Sequence, residues 1–254
     1  MIEKIKQLIF DILFRQTIII SSDESLWDKV VLITGAGRGI GKAIATVLSK
    51  QGAKLALMSI DKKQLEKAFP IYDKDRVFLL KGDVSSEDDC KKAIKITIEK
   101  FGRIDVLMNN AGIIFTKPLE ETSSEDWDNV SKTNVKGMFL MAKAVIPYMK
   151  KQRYGLIINM GSRISHNANI ASNMTLYAST KYAIEGFSNA LDSELRPYGI
   201  RVTCLMPGTV NTFRSLRPRN FLSPFRIAQI IATIIKMDDV NFESVIFRSK
   251  RQNL

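Results

Sequence analysis

The sequence predicts an α/β fold: one doubly wound parallel sheet with helices on both faces. Two observations carry this. Apolar runs of strand length alternate with stretches of helical spacing from residue 29 onward, the pattern of parallel strands joined by right-handed helical crossovers. The first strand also turns into a helix through glycines at 35, 37, 39 and 41. Such a turn permits backbone angles that side chains forbid and lets a ligand approach the main chain. The chain has 254 residues, with no internal repeat, low-complexity tract or interdomain linker. One large domain is therefore expected over residues 27–254, preceded by a helical extension over residues 1–26.

Each element can be justified in order. Ile2, Ile5, Leu8, Ile9, Ile12 and Leu13 fall on one helical face, so the extension reads as an amphipathic helix. Asp11 and Arg15 interrupt it, leaving less than the roughly 20 apolar residues of a membrane span, and no small-residue cleavage site of a secretory signal follows. It is expected to pack on its own domain or on a sister subunit; the alternative is interfacial membrane contact through residues 1–20. Val30–Ile33 is a buried strand. Ile40–Leu48 is a helix, with Ile40, Ile44, Val47 and Leu48 on one face. Lys54–Ile60 is a strand, and Asp61 can cap the next helix. Further strands are expected at Arg76–Lys81, Ile104–Met108, Gly155–Met160 and Ile200–Met206, with a last one at Phe242–Phe247. Helices are expected at Glu87–Phe101, Ser124–Lys132, Asn134–Lys150, Ala178–Leu195 and from Pro224 onward, where proline suits a first turn.

Composition narrows the function. The net charge is +12, but Lys and Arg are mostly dispersed, with no basic–aromatic motif or zinc-finger spacing, so no nucleic-acid partner is expected. Cys90 and Cys204 are far apart and form no disulfide framework. This suits a reducing, cytoplasmic location. A single histidine, His166, provides no metal-ligand cluster, and no metal is expected.

The motifs that carry chemistry each fall just after a strand. They are Thr34–Gly41, Asp83-Val84, Asn109–Gly112, Gly161-Ser162 and Pro207-Gly208. In a parallel sheet the strand ends share one edge, where ligands sit beside the switch point of strand order. A helix N-terminus behind the glycine turn would present free N–H groups to a pyrophosphate. A second signal is Tyr177-Ala-Ser-Thr-Lys181. Residues four apart on a helix are neighbours, and a cation beside a phenol lowers its pKa from about 10. The expectation is a general acid or base active near neutral pH.

With these residues the chain resembles the short-chain dehydrogenase/reductase family, in its branch of roughly 250 residues, over about residues 27–235. The matching positions are Thr34-Gly35-Ala36-Gly37-Arg38-Gly39-Ile40-Gly41, Asp83-Val84, Asn109-Asn110-Ala111-Gly112, Asn134, Ser162, Tyr177, Lys181 and Pro207-Gly208-Thr209-Val210 with Thr212. The resemblance implies a Rossmann-type fold and an NAD(P)-dependent oxidoreductase that transfers a hydride between the cofactor and a carbonyl/alcohol substrate. It implies that Tyr177 exchanges a proton with the substrate oxygen. Lys181 lowers the phenol's pKa and holds the nicotinamide ribose. Ser162 hydrogen-bonds the substrate, and Asn134 positions a water that links Lys181 to solvent. Asp83 and Val84 flank the adenine. Thr34, Gly35, Arg38, Gly39, Ile40 and Gly41 form the phosphate turn, Asn110, Ala111 and Gly112 support the cofactor, and Pro207, Gly208, Val210 and Thr212 cover the nicotinamide. The expected assembly is a homodimer or homotetramer. The alternatives are a catalytically silent cofactor-binding sensor or scaffold, and a membrane-peripheral reductase of lipid-like ketones.

Three positions need a choice. Ser162 stands further from Tyr177 than the family's serine does, and Ser165 competes with it; Ser162 is preferred because it follows directly from the strand Leu156–Met160. Residues 209–226, the expected mobile cover of the substrate, carry Arg214, Arg217, Arg219 and Arg226 among Phe213, Phe221 and Phe225, where arginines suit a carboxylate or phosphate. Ser59 stands where NAD-using relatives place an aspartate toward the ribose, and Arg38 stands as in relatives that hold a 2′-phosphate. NADP(H) is therefore the expected cofactor over NAD(H). A strand one or two residues longer would swing Asp61 to the ribose and reverse this.

Overall fold

The computed structural model describes residues 26–166, 170–212 and 221–250. Seven parallel strands form one sheet: β1 (Val30–Thr34), β2 (Lys54–Ser59), β3 (Val77–Lys81), β4 (Val106–Asn109), β5 (Gly155–Met160), β6 (Ile200–Pro207) and β7 (Ser244–Phe247). Their spatial order is β3-β2-β1-β4-β5-β6-β7. The chain thus winds outward from β1 and returns to β4, so β1 and β4 flank the switch point.

The helices are α1 (Gly39–Lys50), α2 (Lys62–Ala68), α3 (Glu87–Phe101), α4 (Ser124–Ser131), α5 (Gly137–Gln152), α6 (Thr175–Leu195) and α7 (Pro224–Lys236). Alternation along β1 shows why the sheet needs two layers of them. Val31 and Ile33 face one layer with Ile44 and Leu48 of α1, Leu65 of α2 and Ile231 of α7. Leu32 faces the other, with Ile94 of α3, Met141 of α5 and Leu191 of α6. Leu26, the first described residue, is already buried in the first layer's core.

Several boundaries differ from the sequence reading, each for a local reason. The strand expected from Ile104 begins two residues later, because the Ile104 amide is taken by the Gln152 side chain at 3.1 Å. The two helices expected around residue 133 are one continuous rod. A π turn at Lys132–Lys136 joins α4 to α5, an insertion common at functional sites. The helix expected from Ala178 begins at Thr175, which brings Tyr177 inside its first turn. Asp61 caps α2 as expected, accepting from the Gln64 amide at 3.0 Å.

The last strand is present and ends the sheet, with Cys204 opposite Ser244 and Pro207 opposite Phe247. Its approach is fixed by the buried carboxylate of Asp192. That group accepts from the Val202 amide at 2.9 Å, from Arg196 at 2.8 Å and from the Asn241 amide at 3.1 Å. Among the described residues no helix is long and apolar enough to cross a membrane. The amphipathic segment over residues 1–25 and the stretch Phe213–Asn220, with Arg214, Arg217 and Arg219, lie outside the described residues.

Candidate active site

The glycine turn makes a cradle without side chains. Gly35 and Gly39 adopt φ of 65° and 54°, a region that favours glycine. A Cβ on Gly35 would come 2.9 Å from the Ala111 Cα, and one on Gly41 would collide with the Gly35 carbonyl oxygen. The turn and the end of β4 therefore meet at closest approach. Beneath them Thr34 acts as a clip. Its hydroxyl accepts from the Asn110 and Ala111 amides, both at 3.0 Å, while the Asn110 side chain donates to the Thr34 and Gly35 carbonyls at 3.0 and 3.2 Å. Thr34 is buried, so its side chain shapes the turn from below.

Above the turn, α1 starts at Gly39 with an exposed Arg38 at its cap position and no side-chain cap on its first amides. Thr212 lies over Gly39, its Cγ2 3.3 Å from where a Cβ would stand. Gly39 thus lets Thr212 close over the helix start without a clash, beside amides that can meet an anion. Further along the same edge, Asp83 accepts from the Ser85 amide at 2.8 Å. Val84 packs on Gly137, where a Cβ would come 2.7 Å from the valine methyl. Ser59 ends β2, nearly buried, and its hydroxyl accepts from the Asp61 amide at 3.3 Å.

A cleft of about 350 Å³ opens from the turn toward α6. It brings together Ile40, Asn110, Gly112, Ser162, Tyr177, Lys181, Pro207, Gly208 and Val210. Tyr177 and Ser162 both line it, and the serine hydroxyl is near enough to temper the phenol's pKa. Ser165 is turned inward and buried, donating to the Ser162 carbonyl at 3.0 Å and resting 3.4 Å from the Met206 sulfur. Of the two serines, Ser162 is the one on the cleft.

The electrostatics correct the sequence reading. Burial holds the Tyr177 phenol above its ordinary 10, and nearby Ser162 only moderates this. The expected lowering by Lys181 is not seen, because that ammonium points elsewhere. It lies 5.5 Å from the Tyr177 ring centre and donates to the Met160 carbonyl at 2.8 Å. Lys181 is itself buried, and burial pushes its pKa down to about 8.

Asn134 sits on the π turn, almost fully buried. Its side chain accepts from the Ile113 amide at 2.8 Å and donates to the Ile113 carbonyl at 3.0 Å and to the Thr180 hydroxyl at 3.2 Å. It therefore ties the segment after β4 to the helix that carries Tyr177. Asn109, Asn159 and Ser188 form a buried chain of hydrogen bonds, 2.9 Å and 3.0 Å long, across β4, β5 and α6. The sequence reading missed Asn159 and Ser188; the available signal was an asparagine inside the otherwise apolar run Leu156–Met160. It also missed the outer lining of the cleft, Ile113, Ile114, Arg163, Ile164 and Met174.

Comparison with known proteins gives consistent relatives. The sequence model of the short chain dehydrogenase family matches residues 29–219. An uncharacterised oxidoreductase of Staphylococcus saprophyticus is 40% identical over 187 residues, 73% of this chain and 75% of the relative. One of Staphylococcus aureus is 35% identical over 187 residues, 74% and 80% of the two chains. The structure of 3-ketoacyl-(acyl-carrier-protein) reductase from Brucella melitensis, complexed with NADH, superposes with a TM-score of 0.82 at 29% identity, covering 90% of this chain and 100% of that one. Alcohol dehydrogenase from the archaeon Thermococcus sibiricus, complexed with 5-hydroxy-NADP, gives 0.81 at 32% identity, covering 89% and 98%. The matched span contains the glycine turn, the Ser162–Tyr177 pair and Lys181, and on it the chain belongs to the short-chain dehydrogenase/reductase family of oxidoreductases.

Proposed function

We propose that the protein interconverts a carbonyl compound and its alcohol with a nicotinamide cofactor, NADP(H) in preference to NAD(H), and that Tyr177 carries the proton. The observation that carries this reading is that Ser162, Tyr177 and Lys181 line one cleft, which begins at the side-chain-free glycine turn. Similar proteins solved with NADH and with 5-hydroxy-NADP support a nicotinamide ligand.

Gly35, Gly39 and Gly41, the first amides of α1 and Thr212 would hold the diphosphate, and Asn110, Gly112 and Pro207–Val210 the nicotinamide end. When bound, the reduced cofactor supplies the hydride to the carbonyl carbon. The chain supplies position and the proton. Ser162 and Tyr177 present two hydroxyls to one point, where a substrate oxygen can accept from both. Because burial keeps Tyr177 protonated, the phenol donates its proton to that oxygen as negative charge develops there, and the products are an alcohol and a phenolate. Once negative charge develops on the phenol, the Lys181 ammonium, one helical turn away, can turn from the Met160 carbonyl and stabilise the phenolate until a proton returns. In the oxidative direction the same phenolate takes the alcohol proton.

Cofactor choice follows from the end of β2. The strand stops at Ser59, and Asp61 faces the start of α2 as its cap. No carboxylate is thus directed at a 2′-phosphate from this strand end, while Arg38 stands exposed at the cap of α1. A screen of ketones, aldehydes and secondary alcohols with both cofactors, followed by nicotinamide absorbance, tests the reading. Turnover that Tyr177→Phe abolishes is expected; turnover equal in parent and variant would refute the assignment.

A further inference from the structure

The outer half of the cleft has a composition that the reaction itself does not require. Among the described residues no aspartate or glutamate lines it, and its cations are Lys181 and Arg163. Lys181 is engaged with Met160. Arg163 follows Ser162 directly and opens a short 3₁₀ turn, Arg163–His166, where it is half-buried. That turn is held at both ends. Ser165 bonds back to the Ser162 carbonyl, and His166 pairs with Glu185 on α6. The pairing occupies the carboxylate that reaches this turn, and among the described residues no acid pairs with Arg163. Around it the lining is aliphatic: Ile113, Ile114, Ile164 and Met174.

We propose that Arg163 selects an acidic substrate: an aliphatic ketone or secondary alcohol that carries an anionic oxygen group, a carboxylate or a phosphate. This rests on the hydride-transfer reading of the same cleft and deepens it. The apolar walls hold the aliphatic body, and the guanidinium, matched in shape to a carboxylate or phosphate, fixes the anionic group. Among the described residues no carboxylate in the lining opposes it, and a chain of net charge +12 also draws anions toward the site.

The test uses three probes of one chain length: a neutral aliphatic ketone, the ketone with a terminal carboxylate, and the ketone with a terminal phosphate ester. Each is assayed with the parent, Arg163→Gln and Arg163→Lys, whose folding is checked by thermal melting. The parent should favour one of the acidic probes over the neutral one, and the favoured probe tells carboxylate from phosphate. Arg163→Gln should raise KM for it roughly 10–100-fold, the scale of one hydrogen bond to a charged group, with kcat and the neutral ketone little changed. Arg163→Lys should restore part of the loss. An equal effect on acidic and neutral probes, or no acidic preference in the parent, overturns the proposal while leaving hydride transfer intact. Calorimetry with octanoate and with octyl phosphate separates the two readings from the other side. If no ketone is turned over but an acid still binds in an Arg163-dependent way, the hydride reading fails, and the selection of a substrate falls with it, leaving an anion-binding site at Arg163.

Discussion

The Lys181 ammonium donates to the carbonyl of Met160, the last residue of β5, at 2.8 Å. This one bond anchors a cation in a buried position, where desolvation pushes its pKa from 10.5 to about 8. In the unfolded chain the lysine keeps its proton up to 10.5; in the folded one it loses it near 8. Between these values the unfolded state binds more protons, so this group's contribution to stability rises with pH there, and below about 8 its full cost is present. That cost is on the order of 3 kcal/mol. Lys181→Met removes it and gives up about 1 kcal/mol of hydrogen bonding. The variant should melt several degrees above the parent at pH 7, by roughly 4–8 °C, and lose activity. The gain should shrink as the pH rises from 8 toward 10.5. A variant less stable than the parent at pH 7 would show that the buried charge is fully compensated.

Tyr177→Phe isolates the proton. The ring stays, so the helix and the cleft keep their packing, and only the hydroxyl is lost. Turnover should fall about 10²–10⁴-fold, with melting within about 1 kcal/mol of the parent and cofactor affinity unchanged by fluorescence titration. Reductase activity of the parent should be flat in acid and fall as the pH rises through about 8, where Lys181 loses its charge. A fall beginning only above 10 would mean that the phenol, not the lysine, sets the limb.

The two serines should separate cleanly. Ser162 is on the cleft with Tyr177, so Ser162→Ala should lower kcat with little change in melting temperature. Ser165 is buried and bonds to the Ser162 carbonyl, so Ser165→Ala should cost about 1 kcal/mol of stability with a smaller effect on kcat. Steady-state kinetics beside melting curves decide this, and the reverse pattern would make Ser165 the substrate contact.

How much the sequence revealed depended on what each feature needs. The bounds of α3 were legible because Ser86 caps its start and Gly102, at φ of 79°, ends it; both are residue-type signals. The strand Gly155–Met160 was legible from its apolar run. The π turn at Lys132–Lys136 was not, because one inserted residue shifts hydrogen-bond partners without altering composition. The Tyr177–Lys181 spacing showed that the two are neighbours. It could not show that the amine turns to Met160, and that direction, with burial, decides which way the phenol's pKa moves. Arg163 was passed over for a similar reason: whether an arginine after a strand lines a cleft depends on a turn fixed by Ser165 and by His166 with Glu185, none adjacent in function to it. The five strand-end motifs converged as expected because a parallel sheet leaves them no other edge.

The proposed preference for NADP(H) rests on Arg38 and Asp61 together. Arg38 precedes the first residue of α1 and is exposed, free to meet a phosphate on the adenosine ribose with the helix N-terminus beside it. Asp61 is held as the cap of α2 by the Gln64 amide at 3.0 Å, and Lys62 stands exposed beside it, within 3.7 Å of Glu66. A 2′-phosphate would gain charge-assisted hydrogen bonds from the arginine, and a free 2′-hydroxyl would gain little. Arg38→Ala should therefore weaken NADPH binding roughly 10–100-fold and leave NADH within a factor of about two or three, measured by fluorescence titration of both cofactors. The NADPH loss should shrink at high salt, as an exposed charge contact is screened. Tighter binding of NADH than NADPH by the parent, or equal losses in the variant, would place the selector elsewhere, with Asp61 released from its cap toward the ribose as the arrangement to test next by Asp61→Asn.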